Sequence, residues 1–263
     1  IKFFGLDCRR HVCFGSSSLY VMKRPSSQVV RALKKRPARL TDGVPSLVFL
    51  VAIREECAGI VAAFGLQEVW VSDGGQQAVL EGFACGFFVK LGITGILEHN
   101  AVGLLARLFN GGCPGSRDIA LTSVHACVNF GSVGAYEEKR LRIGDAVFVH
   151  EVRHYDVDVP SSDPWHARHL TLQVPAGAVP NDIVCTSGGR FTQSQPGCDC
   201  EDMELYGIAS MCGALGLPVY SLKYVANYCN RSGLEDFERN VGQVRAQAEA
   251  TLAHFLSHLS SQI

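Results

Sequence analysis

The chain has 263 residues, of which 47% are apolar and 19% charged, and its formal net charge is −1. This composition excludes a disordered chain, and it predicts one α/β domain that is large enough to bury a substantial core. The near-neutral charge argues against general nucleic-acid binding, and no apolar run reaches the ~18 residues that a membrane-spanning helix needs. We therefore expect a soluble protein that binds neither nucleic acid nor membrane.

Residues 1–42 differ from the rest of the chain in charge. They carry ten Lys or Arg and two Asp, a net charge of +8, so residues 43–263 carry −9 because the whole chain carries −1. An Arg- and Ser-bearing, acid-poor leader is typical of organellar transit peptides, and a solvated basic arm fits equally well. We expect 1–42 to be a basic extension or leader remnant, and 43–263 to form the domain.

Cysteines indicate the compartment. The chain has eleven, most of them within apolar segments, and this odd count suits a reducing environment better than a disulfide framework. Cys198 and Cys200 form the only close pair, and such a pair without a second pair or a nearby His is weak evidence for zinc. We therefore expect an intracellular protein, cytoplasmic or organellar, that has no metal and no cofactor.

Apolar runs predict strands that alternate with helices along the first half of the domain. Residues 44–53 form a continuous apolar run after a Pro and Gly boundary, and they predict the first buried strand. Residues 54–66 follow with a helical pattern. Residues 82–92 predict a second strand, and residues 93–109 repeat apolar side chains at helical spacing.

The same alternation continues to the end of the chain. Strands are predicted at 119–131, 144–151, 182–189 and 217–226, and a helix at 202–216. The last segment begins "SGLE", which predicts a capping box from Ser232 to Glu235, and apolar residues then repeat along one helical face to Leu259. This order of elements predicts a mainly parallel sheet that is covered on both faces.

Polar clusters follow the apolar strands at four places. They are "REE" at 54–56, "NFGSVGAY" at 129–136, "SGGRF" at 187–191 and "EDMEL" at 201–205. Because the carboxyl ends of parallel strands lie on one side of a sheet, these clusters can converge although they are far apart in sequence. Each cluster alone is a weak signal, and their convergence is the stronger one.

Together with "GDAVFVHEVRHYDVDVP" at 144–160, these clusters resemble the nucleoside phosphorylase and nucleosidase superfamily in order and spacing. The similarity is closest to bacterial methylthioadenosine/S-adenosylhomocysteine nucleosidases, and it spans about residues 48–259. The resemblance implies a three-layer α/β/α fold with a mixed, mainly parallel central sheet. It also implies a homodimer whose pocket binds a purine nucleoside, with segment 144–160 beside the pocket and the dimer contact.

Cleavage of an N-ribosidic bond passes through an oxocarbenium-like ribose, so it needs a carboxylate for water and a grip on the sugar hydroxyls. By resemblance, Glu56 is the water-activating residue, and Met203 and Glu204 hold the ribose. A carboxylate at position 204 can accept from two adjacent hydroxyls. By the same resemblance, Gly131 and Ser132 form a glycine turn near the sugar.

The base is assigned to two further residues. Phe191 matches the aromatic residue that stacks on the base, and Asn227 stands where the hydrolases have an Asp that donates to the purine N7. An amide can donate a hydrogen bond to N7 or to a 6-oxo group, but it cannot deliver a proton. Loss of general-acid help typically costs 10²- to 10⁴-fold in rate. A second departure places Leu91 where the family has a serine near the attacking water.

Three functions stay open at this point. The first is a nucleoside hydrolase with altered base preference, for example for 6-oxopurines. The second is a phosphorylase that takes its phosphate-binding cations from Arg54 or Arg190, although Asn129 stands where phosphorylases carry an Arg. The third is a degenerate family member that serves as a ligand-binding or structural subunit. An enzyme is favoured by the presence of the whole set Glu56, Met203, Glu204 and Phe191. Asn129 favours water as the nucleophile, whereas Asn227 and Asn230, which stand where the hydrolases have Asp, favour the degenerate member.

Overall fold

The computed structural model describes residues 44–136, 140–156 and 169–261. The extension predicted at 1–42 lies outside these residues, so its assignment stays a prediction. Within the described residues, no helix is both long and apolar enough to cross a membrane.

The first half of the domain contains five strands and two α-helices. Strand β1 (Ser46–Val51) is fully buried and leads into helix α1 (Arg54–Phe64), which ends at Gly65 with a left-handed φ of 59°. The elements that follow are β2 (Gln67–Val71), β3 (Ala78–Ala84), β4 (Phe87–Ile93), α2 (Glu98–Asn110) and β5 (Val124–Ala135).

The second half begins with segment 144–160, which has many charged residues near its end. Strand β6 (Ala146–His154) carries this segment, and short strand β7 (His169–Thr171) pairs with it. The remaining elements are β8 (Ile183–Ser187), β9 (Cys200–Asp202), α3 (Leu205–Leu215), β10 (Val219–Tyr228), α4 (Gly233–Asn240) and α5 (Ala246–Ser260).

All ten strands belong to one mixed sheet in the order β10-β6-β8-β9-β5-β1-β4-β3-β2, with β7 beside β6. Strand β10 pairs with β5 as well as with β6, so β5, β9, β8, β6 and β10 close into a small barrel. Strands β4, β1, β5 and β10 run parallel, and their carboxyl ends therefore lie on one side of the sheet. The cluster at 54–56 follows the end of β1, as the sequence predicted, whereas 129–136 overlaps the last part of β5 itself. The clusters at 187–191 and 201–205 lie at β8 and β9, which run antiparallel to β5.

Two hydrophobic clusters lie on opposite faces of the sheet. Val48 and Leu50 of β1 face α2 and α3, whereas Leu47, Phe49 and Val51 face α1 and α5. Alternating residues of one strand thus enter different clusters, as the two-residue period of a strand requires. Helices on both faces of a mixed sheet confirm the predicted α/β class and its three layers.

Two predicted elements are divided in the structure. Residues 82–92 hold the end of β3, a tight turn and β4, because Cys85 and Gly86 both take positive φ (51° and 80°), as a two-residue hairpin turn demands. The last helix breaks between α4 and α5, and the side chain of Ser232 forms no cap bond to the helix backbone, so the predicted capping box is wrong. Instead Ser232 Oγ contacts Asn230 and Asp236.

Candidate active site

Glu56 lies buried at the start of α1, directly beyond the carboxyl end of β1. Its Oε1 accepts hydrogen bonds from the Ser132 backbone N–H (2.7 Å) and from the Ser132 hydroxyl. Its Oε2 accepts from the N–H groups of Ala52 (3.2 Å) and Ile53 (3.4 Å). The loop after β1 and the end of β5 therefore hold this carboxylate in place, and the structure brings Glu56 and Ser132 together as the resemblance implied.

Gly131 permits this contact because it has no side chain. A Cβ at position 131 would lie 3.1 Å from both carboxylate oxygens of Glu56, closer than most real Cβ contacts. Gly131 and Ser132 lie within strand β5 and not in the turn that the resemblance implied, and the missing side chain of Gly131 leaves room for the carboxylate of Glu56.

Glu204 lies buried at the amino end of α3, where its Oε1 accepts from the backbone N–H of Leu97 (2.9 Å). Met203 beside it is half-buried. Asp202, two residues before Glu204, accepts a hydrogen bond at 2.7 Å from Nζ of Lys223. Both side chains of this pair are almost fully buried. Lys223 belongs to β10, whose residue 223 pairs with Gly131 of β5.

The charges of this group act on one another. Burial raises the pKa of Glu56 above its ordinary value, although Ser132 and Lys223 partly oppose the rise. Burial, Asp202 and Glu56 raise the pKa of Glu204 to about 8, with Lys223 opposing them. Burial alone would lower the pKa of Lys223, but Asp202 and Glu204 outweigh it and raise that pKa. Lys223 thus interacts with three buried acids, Asp202, Glu204 and Glu56. The pKa values of Glu204 and Glu56 are raised.

The predicted base-stacking residue lies on an exposed loop whose next residue, Thr192, contacts Glu201. Phe191 is 70% exposed, in the loop between β8 and β9. The next residue, Thr192, donates from its backbone N–H (3.0 Å) and its hydroxyl to Oε2 of Glu201, and the hydroxyl of Tyr136 lies 3.2 Å from the same oxygen. The ring of Phe191 therefore lies outside the hydrophobic core, and the hydrogen bonds of Thr192 hold the adjoining loop in place.

Asn227 occupies the end of β10 and is 5% exposed. Its Nδ2 donates to the backbone carbonyl of Tyr228 (3.0 Å). Cβ atoms built at Gly134 and Gly233 would each lie 3.2 Å from the same nitrogen, so the amide is enclosed by two glycines. This surrounding fixes the orientation of the amide.

Three further residues that the sequence singled out have structural partners. Arg54 pairs with Glu68 at 2.6 Å on a partly exposed surface. The side chain of Asn129 donates to the carbonyl of Leu50 (3.2 Å) and accepts from the hydroxyl of Ser221 (3.1 Å). Leu91 is fully buried in the hydrophobic cluster that faces α1 and α5.

The close cysteine pair does not converge. Cys198 packs in a small cluster with Tyr136 and Cys229, whereas Cys200 packs in the separate cluster of α2 and α3. Among the described residues, no three His, Cys, Asp or Glu side chains form a group that suits a metal ion.

The charged end of β6 forms a second polar group near Glu204. His154 stacks on Tyr206 with ring centroids 4.5 Å apart, and its Nε2 lies 3.0 Å from Asp156 and 3.7 Å from Glu98. Burial is the main cause that raises the pKa of Glu98 to about 7, and Asp202 and Asp156 add to it. The segment is therefore a rim of the same acidic site. Asp158, within the segment, lies outside the described residues.

Sequence reasoning assigned no role to Lys223, Asp202 or Glu201. A lysine inside the apolar run "SLKYVA" was the available signal, because a charged side chain in a buried strand needs a partner. Glu201 and Asp202 belong to the polar cluster at 201–205, but their partners are distant in sequence.

Comparisons with known proteins concern the fold. No protein-family model matches the chain, and no curated protein sequence matches it. The structure of futalosine hydrolase from Helicobacter pylori matches with a TM-score of 0.68 at 17% identity, over 83% of this chain and 100% of that chain. Methylthioadenosine/S-adenosylhomocysteine nucleosidase from Neisseria meningitidis, in complex with methylthio-immucillin-A, matches with 0.66 at 20% identity, over 81% and 99%. Methylthioadenosine nucleosidase from Arabidopsis thaliana matches with 0.67 at 21% identity, over 84% and 99%.

The class of fold follows from these matches. The layered sheet with its small barrel is the fold of these nucleosidase and hydrolase structures, as the motifs predicted. The chain thus shares its fold with methylthioadenosine/S-adenosylhomocysteine nucleosidases and futalosine hydrolase.

Proposed function

We propose that the protein hydrolyses the N-ribosidic bond of a purine nucleoside, releasing the free base and ribose or a 5-substituted ribose. One observation carries this proposal: Glu56 and Glu204 are buried carboxylates with raised pKa values, and both interact with Lys223 at the carboxyl ends of the sheet. Such a surplus of buried acid suits a reaction that generates positive charge on a sugar ring.

Glu56 acts as the general base in this proposal. A base is most effective when its pKa lies near the working pH, and burial moves the pKa of Glu56 upward in that direction. The carboxylate accepts a proton from water while the water oxygen bonds to the anomeric carbon of the ribose. The electrons of the broken C–N bond pass to the departing base. Ser132 and the loop after β1 keep Glu56 in the required orientation.

Glu204 and Met203 hold the ribose in this proposal. A carboxylate at the start of α3 can accept from the two adjacent sugar hydroxyls, and Leu97 already fixes its other side through a backbone N–H. Hydroxyl donors favour the ionised form, so a bound sugar lowers the raised pKa of Glu204. Gly131 and Ser132 then lie on the side of the sugar where Glu56 places the water.

Phe191 and Asn227 receive the base in this proposal. The exposed ring of Phe191 can stack on a purine face, and this contact is worth about 1–3 kcal/mol. Asn227 donates a hydrogen bond to the purine edge, but it delivers no proton, so the departing base takes its proton from water. We therefore expect turnover that is slower than with an acid at this position.

Water is favoured over phosphate as the nucleophile by two contacts. Arg54, which a phosphorylase would use, pairs with Glu68, and Asn129 occupies the position of a second phosphorylase cation with both ends of its amide engaged. A phosphate dianion would also meet the buried acids Glu56 and Glu204 at close range.

We also propose a homodimer in an intracellular compartment, cytoplasmic or organellar. The resemblance of the segment that contains β6 supports the dimer. The nine cysteines that the structure describes are all free, and this supports a reducing compartment.

The experiment that tests the function measures free base released from methylthioadenosine, adenosine, inosine and guanosine, each with and without phosphate. We expect phosphate-independent release from at least one nucleoside. Glu204→Gln should abolish it. Glu81→Gln is the matched control, because Glu81 is a buried acid in a pair remote from this site, and it should retain the release.

Two results would overturn the proposal. Release that requires phosphate would show that the protein is a phosphorylase. No release from any nucleoside, with the protein folded by circular dichroism, would show that the chain keeps a pocket without the reaction.

A further inference from the structure

A cavity of about 330 Å³ lies outside the acidic site, on the face of the sheet that α5 covers. Its walls are the first residues of β6, the loop 175–180 between β7 and β8, and one side of α5. Among the described residues that line it, none belongs to the group around Glu56, Glu204 and Lys223. The proposed hydrolysis therefore does not use this cavity.

The wall formed by α5 presents a row of polar side chains to the cavity. They are Gln247, Thr251, His254 and His258. Residues three or four apart in a helix lie one above the other on the same face, so these side chains share one side of α5. His254 and His258, called here the histidine pair, are both exposed and occupy the carboxyl-terminal end of the row.

The spacing of the histidine pair suits a chelate. Cβ atoms four residues apart on a helix are separated by about 5–6 Å. Two imidazoles at that separation can each place a nitrogen about 2.0–2.1 Å from a single ion, and the same spacing in H-E-x-x-H helices puts two His on one zinc ion. The backbone of α5 already provides this spacing, because His254 and His258 lie within the helix Ala246–Ser260.

The surroundings of the histidine pair favour a metal ion over an anion or an organic cation. Among the described residues that line the cavity, none is Lys, Arg, Asp or Glu. No side-chain cation there would repel a metal ion or bind an anion, and no carboxylate would bind an ammonium group. Phe148 and Phe255, whose ring centroids lie 5.3 Å apart, form an apolar part of the wall. The cavity has room for several water molecules, which can complete the coordination of an ion.

We propose that His254 and His258 together bind a divalent transition-metal ion of the Ni²⁺, Cu²⁺ and Zn²⁺ class at this cavity. Imidazole nitrogen is a preferred ligand of these ions, whereas Mg²⁺ and Ca²⁺ prefer oxygen ligands. The expectation that the chain binds no metal came from its cysteines, whereas this site uses two imidazoles and water. Because the two His are brought together only in the folded helix, bound metal stabilises the folded domain.

Calorimetry of the untagged full chain with NiCl₂ at pH 7.5 tests this proposal. Ni²⁺ is the probe because soft thiolate ligands compete more strongly for copper and zinc. We expect His254→Ala and His258→Ala each to weaken Ni²⁺ binding at one site at least tenfold, since even the loss of a group behind a metal ligand costs about 10- to 100-fold. His99→Ala is the matched control and should bind like the wild type, because His99 is exposed on α2 with no His three or four residues away.

Thermal unfolding gives a second readout on the same proteins. Saturating NiCl₂ should raise the melting temperature of the wild type and of His99→Ala, and this shift should be reduced in both variants of the histidine pair. MgCl₂ at the same concentration should act alike on the wild type and all three variants, because an imidazole pair offers Mg²⁺ no oxygen ligand.

Three results would overturn the proposal. The first is equal Ni²⁺ binding by the wild type and both variants of the histidine pair. The second is a loss in one of these variants but not in the other, which would assign the ion to a different set of ligands. The third is a folded wild-type protein that binds no Ni²⁺. Base release does not enter these measurements, so their outcome is independent of the proposed function.

Discussion

Two buried lysines in the sheet have acidic partners, and their surroundings differ. Lys90 of β4 lies 3.1 Å from Glu81 of β3, and Lys223 of β10 lies 2.7 Å from Asp202 of β9. All four side chains are almost completely buried. The residue types are alike, so the difference between the pairs lies in what surrounds them.

The first pair anchors a loop. Lys90 donates to Ser116 Oγ (2.7 Å) and to the carbonyl of Arg117, while Glu81 accepts from Ser116 Oγ (2.6 Å) and from the N–H of Arg117 (2.9 Å). Burial lowers the pKa of Lys90 in spite of the nearby carboxylate. One base and one acid are used entirely to hold the chain after α2 against the β3–β4 hairpin.

The second pair has an excess of acid. Glu204 and Glu56 join Asp202 around Lys223, and the pKa of the lysine is raised where that of Lys90 is lowered. The surplus keeps the pKa of Glu204 at about 8. A buried ion pair alone is therefore no sign of a site, whereas a pair with uncompensated acids around it indicates chemistry.

The comparison predicts the largest effect for Lys223→Met. Removing one partner of a buried pair costs about 3–5 kcal/mol, and here it leaves more than one acid uncompensated. We expect Lys223→Met to lower the free energy of unfolding by more than Lys90→Met does, in urea titrations at pH 7. Lys90→Met should keep base release per folded molecule, and Lys223→Met should lose it. An equal loss of stability and activity in both variants would mean that the two pairs play the same part.

The next effect concerns rate. Glu56→Gln keeps the shape of the side chain but removes the base, so we expect kcat to fall by about 10²- to 10⁴-fold with a small change in KM. Glu81→Gln serves as the matched substitution in the other cluster and should leave kcat within a factor of about two of the wild type. A Glu56→Gln variant with a normal kcat would remove Glu56 from the reaction.

The smallest effect is on stability as a function of pH. The folded pKa of Glu204, about 8, lies above its ordinary value of 4.5, so its contribution is fully present below pH 4.5 and is lost as pH rises toward 8. Glu204→Gln removes this dependence. We expect the variant to be more stable than the wild type by about 1–3 kcal/mol at pH 8.5, with little difference at pH 5.

Thermal unfolding at the two pH values checks this expectation, with Glu81→Gln beside it. Glu81→Gln should lower the stability at both pH values, because the substitution removes the acidic partner of the buried Lys90. A gain for Glu204→Gln that does not grow with pH would contradict the raised pKa.

The fold could be predicted where apolar patterns were continuous. The run that forms Ser46–Val51 is bounded by turn residues and followed by a helical period, so its element was clear. The β3–β4 hairpin escaped prediction because its turn carries Cys85, a residue with little tendency toward positive φ, between apolar residues on both sides. The break before α5 escaped as well, since the apolar face runs through it without interruption.

The candidate site could be predicted in part. The polar cluster after the first buried strand included Glu56, and the resemblance supplied the roles of both Glu56 and Glu204. The pairing of Lys223 with Asp202, and the position of Glu201 beside Gly134, depend on which strands become neighbours. Strand order is set by the packing of the whole sheet, and a single sequence carries no local signal for it.

Among the residues that the structure describes, the hairpin turn at Cys85 is the position best suited to chemical conjugation of a thiol. Of the cysteines that the structure describes, Cys85 alone is exposed, while burial raises the pKa of thiols such as Cys57, to about 12, and Cys229. A thiolate-selective maleimide would thus react at the tip that precedes β4, at the end of the sheet opposite the acidic site. A fluorophore or a solid support attached there would leave the route to Glu56 and Glu204 open.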